Sequence, residues 1–151
     1  MWRPTGGRLQ LLEQRLNDGM LNGKPIYIHY STEDGINKIV KDLEITDVRR
    51  NETRPGSSVG IYLCPGHHTF NPENVWMLLF LGNERYRDRG DHVVVFAWNP
   101  PSKPIDQPVT SGSWARELIY QGGSVNFTRE DLIYCGPNPF LNVFETENPN
   151  I

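Results

Sequence analysis

Ile26-Tyr27-Ile28-His29-Tyr30-Ser31-Thr32-Glu33-Asp34, residues 26–34, is the stretch that decides the fold. Ile26 to Tyr30 is β-branched and aromatic, the composition of a short strand. Ser31 to Asp34 is polar and then acidic, the signature of a helix start with negative charge in its first turn. In the following residues Ile36, Ile39, Val40 and Leu43 fall on one helical face, while Lys38, Lys41 and Asp42 fall on the other. A strand therefore feeds an amphipathic helix whose apolar face anchors it.

Working outward, Leu9, Leu12 and Leu16 give residues 8–18 helical spacing, and Gly19 supplies a stop. Residues 49–58 read as a polar loop, after which Val59 to Cys64 resumes as a strand ended by Pro65-Gly66. Asn71-Pro72-Glu73 has a capping residue, a first-turn proline and an acid, and it opens an apolar run from Val75 to Leu81 that predicts a buried helix. His92 to Trp98 reads as a central strand buried on both faces, ended by Asn99-Pro100-Pro101. Residues 99–113 read as a long loop, followed by strands at Ala115 to Tyr120 and Asp131 to Cys135. This order predicts one α+β domain over residues 1–151, with residues 1–24 an N-terminal helical extension and residues 137–151 an irregular tail.

The 151 residues are enough to bury a core without disulfides or metal. A formal charge of −3 gives no global electrostatic reason to expect nucleic acid or an anionic membrane as partner. The apolar runs fall far short of the roughly 20 residues that a membrane span requires, and MWRPTGGRLQ lacks a signal-peptide apolar region. A soluble protein is expected, cytoplasmic or delivered to a target cell. Cys64 and Cys135 both follow apolar segments and read as buried free thiols. Cys64, His67 and His68 lack a fourth ligand at zinc spacing, so no metal is expected. The arginines at 49, 50, 54, 85, 87 and 89 read as solvated loop charges.

Three segments carry the chemistry: His29-Tyr30-Ser31 at a strand end, Gly60-Ile61-Tyr62 within a strand, and Glu117-Leu118-Ile119-Tyr120 heading an apolar strand. In this order they resemble the H-Y-E class of ADP-ribosyltransferases, typified by diphtheria toxin and the poly(ADP-ribose) polymerases. His29-x-Ser31 looks like the family's His-x-Ser/Thr, Gly60-x-Tyr62 like its Gly-x-Tyr strand, and Glu117 like its catalytic glutamate. The short chain and the His-Tyr opening also look similar to ADP-ribosyltransferase domains of polymorphic bacterial toxins. The resemblance implies a split, mostly antiparallel sheet with flanking helices and NAD, as co-substrate, in a cleft between its halves.

It further implies mono-ADP-ribosyl transfer to a macromolecular acceptor, protein in preference to nucleic acid. Glu117, His29 and Tyr62 would be catalytic, and His29, Tyr30, Ser31, Gly60 and Tyr62 would bind NAD. A carboxylate suits this chemistry because cleaving the nicotinamide bond develops positive charge on the ribose, and an aromatic face suits the nicotinamide ring. NAD glycohydrolysis and a silent NAD- or ADP-ribose-binding module are the alternatives. Ala115 stands where arginine-modifying transferases carry Gln or Glu, so an arginine acceptor is not supported. Each residue also has a structural alternative. His29 can be a strand-end histidine, Tyr62 core, Ser31 the cap of the next helix, and Glu117 a solvent-facing edge residue. Trp114 either meets the acceptor or packs in the core, and Glu130 is the competing glutamate.

Overall fold

A computed structural model describes residues 7–46, 48, 58–109 and 115–141. The elements in chain order are α1 (Gly7–Asp18), β1 (Met20–Leu21), β2 (Lys24–Ser31), α2 (Glu33–Asp42), β3 (Glu44–Ile45), β4 (Ile61–Pro65) and the short α3 (Pro72–Asn74). They continue with β5 (His92–Ala97), β6 (Ile105–Pro108), β7 (Arg116–Tyr120), β8 (Val125–Asn126) and β9 (Leu132–Pro137). The fold is α+β. Its main sheet runs β6-β7-β4-β2-β5-β9, with β1 paired to β2 and β3-β8 as a separate ribbon, and every pairing is antiparallel.

The sheet is covered on both faces, because alternate residues of each central strand are apolar in both directions. On one face Ile26, Ile28, Cys64, Val93 and Val95 pack with Leu12 and Leu16 of α1 and with Phe70, Leu79 and Phe140. On the other, Tyr27, Ile61, Leu63, Val94 and Phe96 pack beneath Ile36 and Ile39 of α2 and beside Ile45 and Val125 of the ribbon. Helix α1 is thus a wall of the core rather than an appendage. Of the expected tail, Pro137 ends β9 and residues 138–141 have no helix or strand but are tied to the body. Asn138 Nδ2 donates to the carbonyls of Phe70 and Gly90, and Phe140 is buried.

Several expectations need correction. Helix α2 is capped by Thr32, whose Oγ1 accepts from Gly35 N at 3.1 Å, and not by Ser31. The loop expected over 99–113 contains β6, an edge strand whose Ile-Asp-Gln-Pro sequence, exposed at its first two residues and half-buried at the others, lacks apolar alternation. Asn71 caps α3 as its sequence implies, but the backbone continues from Val75 to Leu79 as π-helix. Val75, Leu79 and Phe80 are buried while Met77 and Leu81 are about half exposed, since only one side of a surface helix meets the sheet. Met20 to Pro25 forms a hairpin around Asn22-Gly23, both at positive φ (54° and 77°), as a tight turn between antiparallel strands requires.

Cys64 is buried and Cys135 half-buried, and both are free thiols. Among the described residues no helix is long and apolar enough to cross a membrane.

Candidate functional site

The six-strand path of the sheet has two halves, β6-β7-β4 and β2-β5-β9, joined along β4 and β2 by only Tyr27↔Pro65 and Ile28↔Cys64. Along that path every other neighbouring pair has three or more rungs; the hairpin partner β1 adds two to the outer end of β2. Beyond Ile28 the ladder stops, and His29 occupies the seam. Its Nδ1 lies 2.9 Å from the carbonyl of Tyr62. A carbonyl only accepts, so Nδ1 carries the proton of that bond.

Residues paired across an antiparallel ladder point to the same face. The pairs Ile28↔Cys64 and Tyr62↔Ile119, extended by one alternation, put Tyr30, Tyr62 and Glu117 on the α1-covered face. His29, paired with Val94, belongs to the opposite face. The expected triad is therefore not coplanar on the sheet. Tyr62 and Glu117 share a surface, and His29 meets Tyr62 through the gap between strands. All three, with Tyr30, Leu79 and Phe80, border one internal cavity of about 10 Å³, room for about one water.

Glu117 is only 1% exposed, so the expected alternative of a solvent-facing residue does not hold. One of its oxygens, Oε1, accepts from Gln107 Nε2 at 3.1 Å, and Gln107 is its direct cross-strand partner on β6. Glu130 is exposed on a single 3-10 turn, Arg129–Asp131, far less able to act on a desolvated substrate. Tyr62 is buried, and its hydroxyl donates to the carbonyl of Ser58, which fixes the ring.

Of the remaining expected residues, Tyr30 borders this cavity, while Ser31 and Gly60 lie outside it. Tyr30 is a core residue: its hydroxyl accepts from Phe70 N at 2.8 Å, and its ring stands edge-on to Phe70 and Phe140. Burial, followed by the Cys64 thiol, pushes its pKa well above the ordinary phenol value, with the Phe70 amide opposing, so it is a neutral phenol. Ser31 faces α2, its Oγ against the Cα of Gly35 where a Cβ would clash. Gly60 also lies outside the cavity. A Cβ there would sit 2.7 Å from Ile119 Cγ2 and 2.8 Å from the carbonyl of Tyr120, so close strand approach explains this glycine. Trp114 and the arginines 49, 50 and 54 lie outside the described residues.

Two neighbours of Glu117 were not among the expected site residues. Gln107 becomes visible only once β6 is known. His68, grouped in the sequence with Cys64 and His67, is buried with Nδ1 3.1 Å from Arg116 N, at the start of the strand carrying Glu117. Burial is the main cause that pushes its pKa below the ordinary histidine value. The same Nδ1 is 3.3 Å from the Arg116 carbonyl, so it accepts from the amide in one tautomer and donates to the carbonyl in the other. The side chain of Arg116 points to the opposite face and pairs with Asp106 at 2.9 Å. Among the described residues no group of three His, Cys, Asp or Glu is arranged to hold a metal ion.

A roomier groove of about 530 Å³ lies elsewhere, over Trp76. Arg87 covers the Trp76 ring at 3.9 Å, while Arg85 and Arg89 flank the Tyr86 ring. These exposed arginines are stacked on aromatic rings rather than being only solvated charges. The groove contains none of the expected site residues, and its aromatic face is already covered.

No protein-family model, no curated protein and no solved structure matches this chain.

Proposed function

We propose that this chain is an NAD-dependent mono-ADP-ribosyltransferase that acts at the seam of the sheet. The observation that carries the reading is a fully buried carboxylate, Glu117, sharing one sheet face and one cavity with a fixed tyrosine, Tyr62, where His29 bridges the two halves. A buried carboxylate is costly to retain unless it does something, and one beside a developing cation is worth most where water is excluded. The finer fold reading, an ADP-ribosyltransferase-type split sheet with NAD lying across the split, goes with this function.

In this mechanism Glu117 faces the nicotinamide ribose and stabilises the positive charge that grows as the glycosidic bond breaks and nicotinamide leaves with the bonding electrons. The acceptor's nucleophile then takes the vacated ribose carbon, and its proton passes to Glu117. Tyr62 offers its ring to the nicotinamide, and His29 holds a ribose hydroxyl while its Nδ1 stays fixed on the Tyr62 carbonyl. The donor set fits the ribosyl end of NAD chemically. The cavity does not admit it without movement, so Leu79 and Phe80 must swing aside on binding.

The test is nicotinamide release and transfer of label from NAD, with and without a cell lysate, for the parent, Glu117→Gln and Glu130→Gln. Glu117→Gln is expected to lose about 100-fold or more, and Glu130→Gln to keep the parent's rate. Release without labelling means that water is the acceptor and the chain is a glycohydrolase. Binding without release means a silent module. Equal rates for parent and Glu117→Gln overturn the site.

A further inference from the structure

Glu117 does not stand alone on its strand. β7 is flanked on its outer side by the four-residue β6, whose register sets Gln107 directly opposite Glu117. The contact is a side-chain bond from Gln107 Nε2 to Glu117 Oε1 at 3.1 Å, reinforced on the other sheet face by Arg116, which grips both the carboxylate and the carbonyl of Asp106. Just beyond the ladder Val109 N donates to the Ala115 carbonyl at 2.9 Å. Edge strands this short and exposed are ordinarily weakly specified in register. Here a charged clamp on one face fixes the register that delivers an amide to a buried carboxylate on the other.

We propose that Gln107 is a positioning residue for the reaction: its amide N–H orients the Glu117 carboxylate, and β6 exists in this register to supply it. The inference rests on the transferase or glycohydrolase reading of the site. An amide donor favours the charged form of the carboxylate it reaches without adding a charge of its own, holds one oxygen in place and fixes the plane of the group. A glutamine suits this task where an aspartate or glutamate does not. A second carboxylate at 3.1 Å would force the pair to share a proton.

The experiment compares the parent with Gln107→Leu and Gln107→Glu, with melting temperatures measured alongside to show that each variant is folded. For nicotinamide release, Gln107→Leu is expected to lower kcat about 10- to 100-fold with KM for NAD within about twofold, as for an outer partner that orients a reacting group. Gln107→Glu is expected to move the acid limb of the pH–rate profile upward, because a proton shared between two carboxylates must leave before Glu117 is charged. A folded Gln107→Leu with unchanged kcat, or a Gln107→Glu profile superimposable on the parent's, overturns the inference. If the parent cleaves no NAD, the functional reading fails and the positioning claim is read by side-chain amide NMR of isotope-labelled protein. The Gln107 NH₂ resonances should shift as pH is lowered in the parent, and that shift should vanish in Glu117→Gln. Identical titration curves in the two proteins refute it.

Discussion

Asp131→Asn should destabilise the protein by about 3 kcal/mol near neutral pH and by progressively less in acid. Asp131 is 3% exposed, and its carboxylate accepts from Lys24 Nζ at 2.6 Å, Asn22 Nδ2 at 3.1 Å and Thr128 Oγ1 at 3.1 Å. These bonds fasten the Asn22-Gly23 hairpin to the turn that starts β9. An asparagine keeps one acceptor oxygen but turns an NH₂ toward donors that it cannot satisfy. Breaking a buried pair costs about 3–5 kcal/mol, and Lys24, with a third of its side chain exposed, recovers part of this from water. The lower end of the range follows, or roughly 6–12 °C in melting temperature for a domain of this size. The Lys24 bond is the main cause that holds the carboxyl below its ordinary range, with Asn22 and Thr128 adding to it and burial opposing. A depressed folded-state pKa means that the stabilisation is fully present above the unfolded value of about 3.9 and is lost as pH falls through the folded one. Thermal melts of parent and variant from about pH 7 to about pH 2 should therefore show two curves that converge below about pH 4. A gap that stays constant through that window would refute the charge-based account.

Two further outcomes test the geometry around the cavity. Phe80 is buried and its ring lies 5.4 Å from that of Tyr86, so Phe80→Ala should cost about 3 kcal/mol in a thermal melt. If this ring closes the NAD entrance, the same variant should lower KM for NAD in the nicotinamide-release assay, and an unchanged or raised KM counts against Phe80 as the gate. Gly60→Ala should cost about 1–3 kcal/mol in the absence of NAD, because its Cβ meets a backbone carbonyl at 2.8 Å. A variant of parental stability with weakened NAD binding would return Gly60 to the ligand.

What the sequence revealed depended on how local each signal was. β2 is legible because Ile26 to Tyr30 is dominated by β-branched and aromatic residues, β5 because Val93 to Ala97 is a continuous apolar run, and α2 because its apolar spacing is helical. The Asn22-Gly23 dipeptide is a strong hairpin signal that the helix-based reading of residues 1–24 passed over. β6 is different. Ile105 to Pro108 has no pattern of its own, and it is a strand because β7 and the Arg116–Asp106 clamp hold it. The site residues divide in the same way. Glu117 and Tyr62 could be named from their segments, but their common face comes from the Tyr62↔Ile119 register, and a slip of one residue would send Glu117 to the other side. The separation of His29 from that face, and of Ser31 and Gly60 from the cavity, follows from pairings that no single segment encodes.

The irregularities of the fold also point to the seam. A well-specified sequence obeys local rules nearly everywhere, and departures gather where function demands them. Asp131 is buried and charged, yet its bonded donors give it a structural explanation. Around the cavity the departures are of another kind. A ladder stops after two rungs, an imidazole takes a strand carbonyl, and a carboxylate is sealed from water. Directly above, Val75 to Leu79 adopts the π form, and Leu81 is held at φ 54°, a left-handed conformation that leucine rarely adopts, with its side chain half exposed. Leu81 ends this segment as Leu43 ends α2, in the left-handed conformation of a helix C-terminus, with Gly82 N donating to the Trp76 carbonyl at 2.9 Å. If the chain binds NAD as proposed, the wall formed by Leu79 and Phe80 at the end of the π segment is the part that has to yield to the dinucleotide.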